Sequence, residues 1–220
     1  MVSPQEEYSR PKWSFWHAVF ILAALFVLAL PSALIVKFFI RVFLQNLAMI
    51  LLVILVIRMS GAAISELGLQ KRKLGVNIAT GLGAGIALFL LVGVLSLFIQ
   101  YVTGRVPEPQ QVVKHLAGLK TPWQLIWPGF VVVVAGPLSE ELYFRGMVYP
   151  LCRARFGVDV GVLLSALFFG AMHFDLFGLA PIAIAGAGLA YLYQRTGSLT
   201  ASIMAHGTWN LLTLLVMYFS

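Results

Sequence analysis

The chain has 220 residues, 60% of them hydrophobic and 10% charged, with a net charge of +7. A water-facing surface draws on roughly a quarter of charged residues, so this composition excludes an ordinary soluble globular domain and implies one membrane-embedded domain over residues 1–220. The single cysteine, Cys152, excludes an internal disulfide and a thiolate metal cluster, and reads as a buried or interfacial thiol.

A helix needs about 20 apolar residues to cross the hydrocarbon, and the chain offers about seven candidates. The first two are Phe15–Val36 and Phe38–Ile57, the second holding Gln45 and Asn46 as packing contacts or as part of a polar cavity. Met59–Gly75 follows, with Glu66 and the Lys71–Arg72–Lys73 cluster, and reads as an amphipathic segment on the headgroups. The third span, Val76–Tyr101, carries Gly81, Gly85 and Gly93, which allow close helix approach. Val102–Trp123, with Pro107, Pro109 and Pro122, is expected to be an irregular loop. Leu125–Leu151, Val160–Phe174, Gly178–Tyr193 and Leu199–Phe219 complete the set, the fifth and sixth being short enough to be tilted, shielded or joined by a re-entrant turn. Trp13, Trp16, Trp123 and Trp127 fall near span ends, where aromatic belts form. The expected fold is all-α and polytopic.

Loop charges set an orientation. With the N-terminus in the cytoplasm, the inner segments hold Arg10, Lys12, Arg58, Lys71, Arg72, Lys73, Arg145, Arg153, Arg155 and Arg195, and the outer ones Lys37, Arg41, Arg105, Lys114 and Lys120. Ten against five favours a cytoplasmic N-terminus and an outer C-terminus. The basic residues sit between apolar spans, so anionic lipid headgroups rather than nucleic acid are the partners their charge implies.

Polar groups inside apolar runs are costly and mark function. Glu140 and Glu141 follow the run Phe130–Leu138. Residues four apart share a helical face, so Glu141 and Arg145 can pair. Glu140 points about 100° away from Glu141 and stays available to take a proton from water. His173 ends the fifth span, with Phe169 one turn back beside the imidazole, and Asp175 reads as a loop residue or helix stop. His206 and Asn210 share a face of the last span. They can donate hydrogen bonds to an oxyanion, or equally serve as interhelical glue. Ser139 has no base arrangement and reads as structural; His17 and His115 are assigned no chemistry.

Glu140-Glu141-Leu142-Tyr143-Phe144-Arg145 matches E-E-x-x-x-R, Phe169 to His173 matches F-x-x-x-H, and His206 to Asn210 matches H-x-x-x-N. Their order and spacing resemble the CPBP family of CAAX-protease and bacteriocin-processing membrane proteins, which includes the Ras-converting enzymes and Abi-type proteins. The resemblance covers a catalytic core at residues 125–219. It implies a helical bundle with a polar catalytic cavity, conical and open to the cytoplasmic side and to lipid. It implies Glu140 as the general base on water, Glu141 and Arg145 in support, His173 holding that water, and His206 and Asn210 binding the oxyanion. Zinc stays an alternative to a metal-free water, since Glu140, His173 and His206 would form the two-histidine, one-carboxylate set zinc accepts.

The function implied is an intramembrane endopeptidase acting on prenylated CAAX-type or other membrane-associated peptides. A non-catalytic bacteriocin-immunity or scaffold protein is the alternative. A proton-coupled transporter is disfavoured, because no broken-helix or inverted-repeat pattern is present. The sequence leaves substrate and oligomeric state open.

Overall fold

The computed structural model describes residues 10–35, 37–69, 73–105, 111–119 and 121–219. Among them run eight α-helices: α1 (Phe15–Ile35), α2 (Phe38–Met59), α3 (Leu74–Thr103), α4 (Gln111–Ala117), α5 (Pro122–Phe156), α6 (Val158–Ala171), α7 (Leu179–Thr196) and α8 (Leu199–Phe219). The protein is an all-α polytopic membrane protein. Helices α2, α3, α5 and α8 are long and apolar enough to cross a bilayer, and α1, over Phe15–Ala29, and α6 are shorter apolar helices. Lys71, Arg72, Pro107, Pro109 and Lys120 lie outside the described residues.

One end of the bundle gathers the start of α1, the end of α2 and the starts of α3 and α8. Lys12 Nζ there donates to Gly61 O at 3.1 Å and to Glu66 Oε1 at 3.0 Å. The Ala63 N–H and then Lys12 hold the Glu66 carboxyl below its ordinary range. The described part of the segment expected on the headgroups is docked against the bundle. Its 3-10 turn, Ile64–Leu67, buries Leu67 completely, and Gly68 O accepts from Leu199 N at 2.9 Å. Gly68 has φ +83, and a Cβ there would stand 2.8 Å from the Tyr193 ring, so glycine serves both the turn and the close approach. Trp13, expected at a membrane belt, is buried with Nε1 donating to Met147 O at 3.1 Å. Trp16 and Trp123 are exposed at span ends.

The far end holds the start of α2 and α4, whose His115 ring stacks on Phe38 at 3.8 Å between centroids. The loop expected to be irregular therefore contains a helix. The close approach of α3 to α8 rests on Gly81 and Gly85: a Cβ on either would come within 2.5 Å of the Ala201 or Ala205 carbonyl.

Helix α5 has 35 residues, about 52 Å at 1.5 Å per residue against about 30 Å of hydrocarbon, so it must tilt or project beyond it. Two π-helical segments, Val131–Ala135 and Leu142–Val148, interrupt it. Each lies just ahead of a proline, Pro137 and Pro150. A proline inside a helix has no N–H and crowds the carbonyl one turn earlier; a wider turn relieves that crowding. Helices α6 and α7 form a hairpin that starts and ends at the N-terminal end of the bundle. With 14 residues, α6 rises only about 21 Å, so the turn falls short of the opposite face. Phe174 and Leu176 in that turn are 88% and 91% exposed, as suits apolar side chains facing lipid.

Candidate active site

The motif residues converge where the middle of α5 meets α8 and the α6–α7 turn. Glu141 and Arg145 form the expected i, i+4 pair, both fully buried, with Arg145 Nη1 donating to Glu141 Oε1 at 2.7 Å. Arg145 Nη2 donates to Gly186 O at 3.0 Å, which ties α5 to α7, and its guanidinium lies 4.5 Å from the Phe169 ring centroid. Because Arg145 is inside the bundle, it drops out of the loop-charge count, leaving nine against five.

Glu141 Oε1 also takes a second bond, from His206 Nδ1 at 2.9 Å. That partner lies 65 positions away in sequence, and nothing local announces it. The bond places the proton on Nδ1 and turns Nε2 towards Glu140, whose Oε2 is 3.9 Å away. Separation of the two adjacent carboxylates by about 100° thus has a visible result: Glu141 faces the interior and Glu140 faces a cavity. Glu140 Oε2 is buried without a hydrogen-bond partner.

His173 Nδ1 donates to Phe169 O at 2.8 Å, since a carbonyl only accepts, and its Nε2 is left as an acceptor. Phe169 is the common packing surface: its ring lies 4.8 Å from His173 and 5.8 Å from His206. Trp209, not singled out in the sequence, stacks on His206 at 5.6 Å. Asp175 Oδ1 accepts the N–H groups of Phe177 and Gly178, closing the turn that carries His173.

Asn210 Nδ2 donates to Val132 O at 2.9 Å. The reason lies in α5. In the wide turn each carbonyl pairs five residues on, as Val131 O does with the Gly136 N–H. The corresponding partner of Val132 O would be Pro137, which has no N–H, and the Asn210 amide fills the gap.

Glu140, His173, His206 and Asn210 all line one cavity of about 520 Å³. Its walls are largely apolar, from Phe89 and Val92 on α3, Val112 and Leu116 on α4, and Leu214 on α8. Asn46 on α2 also lines it, beside Glu140. The sequence left Asn46 between packing and a polar cavity because its contact, Ser139, is 93 positions away. The cavity lies towards the end remote from Lys12 and Glu66.

Among the described residues no three His, Cys, Asp or Glu side chains stand close enough to hold one metal ion. As placed, Glu140, His173 and His206 do not fit the zinc set, and the chemistry proposed below uses only their own atoms.

Residues 122–212 match the family described as type II CAAX prenyl endopeptidase Rce1-like. The chain is 28% identical over 144 residues to YdiL of Bacillus subtilis (strain 168), whose name describes a membrane peptidase; the match covers 64% of this chain and 57% of that protein. It is 30% identical over 97 residues to CAAX prenyl protease 2 of Homo sapiens, covering 35% of this chain and 30% of the relative. It is 36% identical over 95 residues to UPF0177 protein YaiF of Lactococcus lactis, 40% of each chain. The chain thus spans little more than half of one of these relatives and less than half of the other two. No solved structure matches it. All three motifs lie inside the matched stretch and meet at one cavity, so residues 122–212 of this chain are similar to the type II CAAX prenyl endopeptidase Rce1-like family.

Proposed function

We propose that the chain is an intramembrane endopeptidase whose catalytic core is residues 125–219, with Glu140 activating water. One observation carries this reading: Glu140 presents a buried carboxylate oxygen without a partner, 3.9 Å from an imidazole, in a cavity walled by membrane helices. A charge at the centre of a membrane helix costs roughly 2.5–3.5 kcal/mol on insertion scales, so a carboxylate kept among apolar helices points to function.

In the proposed step, Glu140 takes one proton from a water held with the help of His173 Nε2. The hydroxide oxygen bonds to the carbonyl carbon of the scissile amide, and the C=O π pair moves onto oxygen. On collapse the C–N bond breaks, and the proton on Glu140 passes to the leaving amine. His206 and Asn210 stabilise the oxyanion. In that role His206 donates from Nε2 as an imidazolium, whose charge is balanced by Glu141 bonded at Nδ1. Glu141 and Arg145 hold the His206 ring in place and do not touch substrate.

The substrate class is a membrane-associated peptide, with prenylated CAAX-type peptides included on the strength of the family. The apolar cavity walls suit such a substrate. The loop charges support a cytoplasmic N-terminus, which turns the cavity to the opposite face.

The test is cleavage by purified wild type and Glu140→Gln of farnesylated and unmodified peptide libraries, with and without chelator. Wild type is expected to cleave, and Glu140→Gln to lose cleavage while keeping the same unfolding temperature. Wild-type turnover by Glu140→Gln would falsify the mechanism and favour a non-catalytic role. Loss of cleavage with chelator would return zinc to the site.

A further inference from the structure

We infer that Asn46, on α2 and outside the stretch matched by the family, is a substrate-touching residue that donates a hydrogen bond to the oxyanion; this rests on the proposed peptidase reading. Asn46 Nδ2 is a buried donor with no hydrogen-bond partner, in a residue that lines the cavity beside Glu140. A buried amide nitrogen left unpaired is costly, and native structures rarely keep one without a use.

The amide is held in place. The Ser139 hydroxyl lies 2.9 Å from both Asn46 Oδ1 and Gly136 O, and by donating to Oδ1 it fixes that oxygen on α5. Nδ2, with two N–H groups, is then turned away from Ser139. Ser139 immediately precedes Glu140, so the donor and the base are referenced to the same turn of α5.

The site has a shortage that Asn46 fills. Glu140 only accepts. With Nδ1–H on Phe169 O, neutral His173 presents an acceptor at Nε2. With Nδ1–H on Glu141, His206 donates from Nε2 only once it carries a second proton. Asn210 already gives one N–H to Val132 O, a bond that Pro137 makes necessary. These acceptors suit a water, whereas a carbonyl oxygen gaining charge needs donors aimed at it before the reaction begins. Asn46 supplies them without giving up any other bond. Its loss therefore acts on the transition state more than on binding.

Asn46→Leu, Asn46→Asp and Ser139→Ala are compared with wild type and Glu140→Gln on a peptide that wild type cleaves, with kcat and KM measured separately. Asn46→Leu keeps the volume and removes the donor. It is expected to lower kcat roughly a hundredfold, the loss typical of one oxyanion donor, with KM little changed. Asn46→Asp keeps an oxygen for Ser139 but replaces the amide nitrogen with an acceptor, and should lose as much. Ser139→Ala frees the amide to rotate and should lose less than either.

Wild-type kcat in Asn46→Leu overturns the inference, as does a loss confined to KM. If Asn46→Leu does not fold, Asn46→Asp decides: a lowered kcat supports the donor role, and wild-type kcat overturns it. If wild type cleaves no peptide, the peptidase reading itself fails and the role of Asn46 falls with it. That outcome is distinct from an active enzyme indifferent to residue 46.

Discussion

Replacing Arg145 with methionine keeps most of the side-chain length and removes the charge. In the native protein Arg145 is fully buried, bonded to Glu141 at 2.7 Å and to Gly186 O at 3.0 Å. In Arg145→Met, Glu141 is left with the His206 Nδ1–H, and its Oε2 already has no partner. Removing one member of a buried ion pair costs about 3–5 kcal/mol, because the other charge stays behind without compensation. At about 2–4 °C per kcal/mol for a chain of this size, the unfolding temperature should fall by roughly 6–20 °C. The assay is thermal unfolding of purified protein in detergent, followed by tryptophan fluorescence. Removing both charges in Glu141→Leu/Arg145→Met should cost less than Arg145→Met alone, since no ionised group is then stranded. A shift below about 2 °C in the single variant, under 1 kcal/mol on that scale, would refute the view that this pair locks α5 to α7 and α8.

Gly85→Val should destabilise the protein by about 1–3 kcal/mol, because a Cβ there meets Ala205 O at 2.5 Å and Thr208 Cβ at 2.6 Å. Gly83→Ala, with nothing within 4 Å of its Cβ, should unfold at the wild-type temperature or above it; equal behaviour of the two variants would contradict the α3–α8 packing. Arg10 and Arg105 are exposed near opposite ends of the bundle. In a Cys152→Ala background, Arg105→Cys should react with an impermeant thiol reagent added outside intact cells and Arg10→Cys should not. The reverse pattern would overturn the cytoplasmic N-terminus and turn the cavity inward.

Much of this arrangement was legible because it is local. The apolar runs announced the long helices, and i, i+4 spacing announced the Glu141–Arg145 pair and the shared face of His206 and Asn210. Phe169 beside His173 follows from the same rule. What escaped depends on chain segments far apart or on a broken period. Glu141 with His206, Ser139 with Asn46 and Trp13 with Met147 are contacts that only the packed bundle creates. Helix α4 is short and lies in a segment whose prolines suggested an irregular loop. The two wide turns in α5 cannot be found with a 3.6-residue period; Pro137 and Pro150 are the clues the sequence holds. Asn210 shows how a local reading can be incomplete: its face was foreseen, but its bond to a backbone oxygen follows from a missing N–H on another helix.

The wide turn at Val131–Ala135 has a consequence for how this segment tolerates changes in length. A π turn amounts to an α-helix with one residue inserted, and the helix resumes its pitch on either side. A chain lacking one residue there could close the turn to ordinary pitch and still aim Glu140 and Glu141 along their present bearings. It would then have to absorb Pro137 against a tighter backbone. It would also change which oxygen is left over for Asn210 to hold. The inserted residue therefore fastens α8 to α5 without setting the direction of either carboxylate.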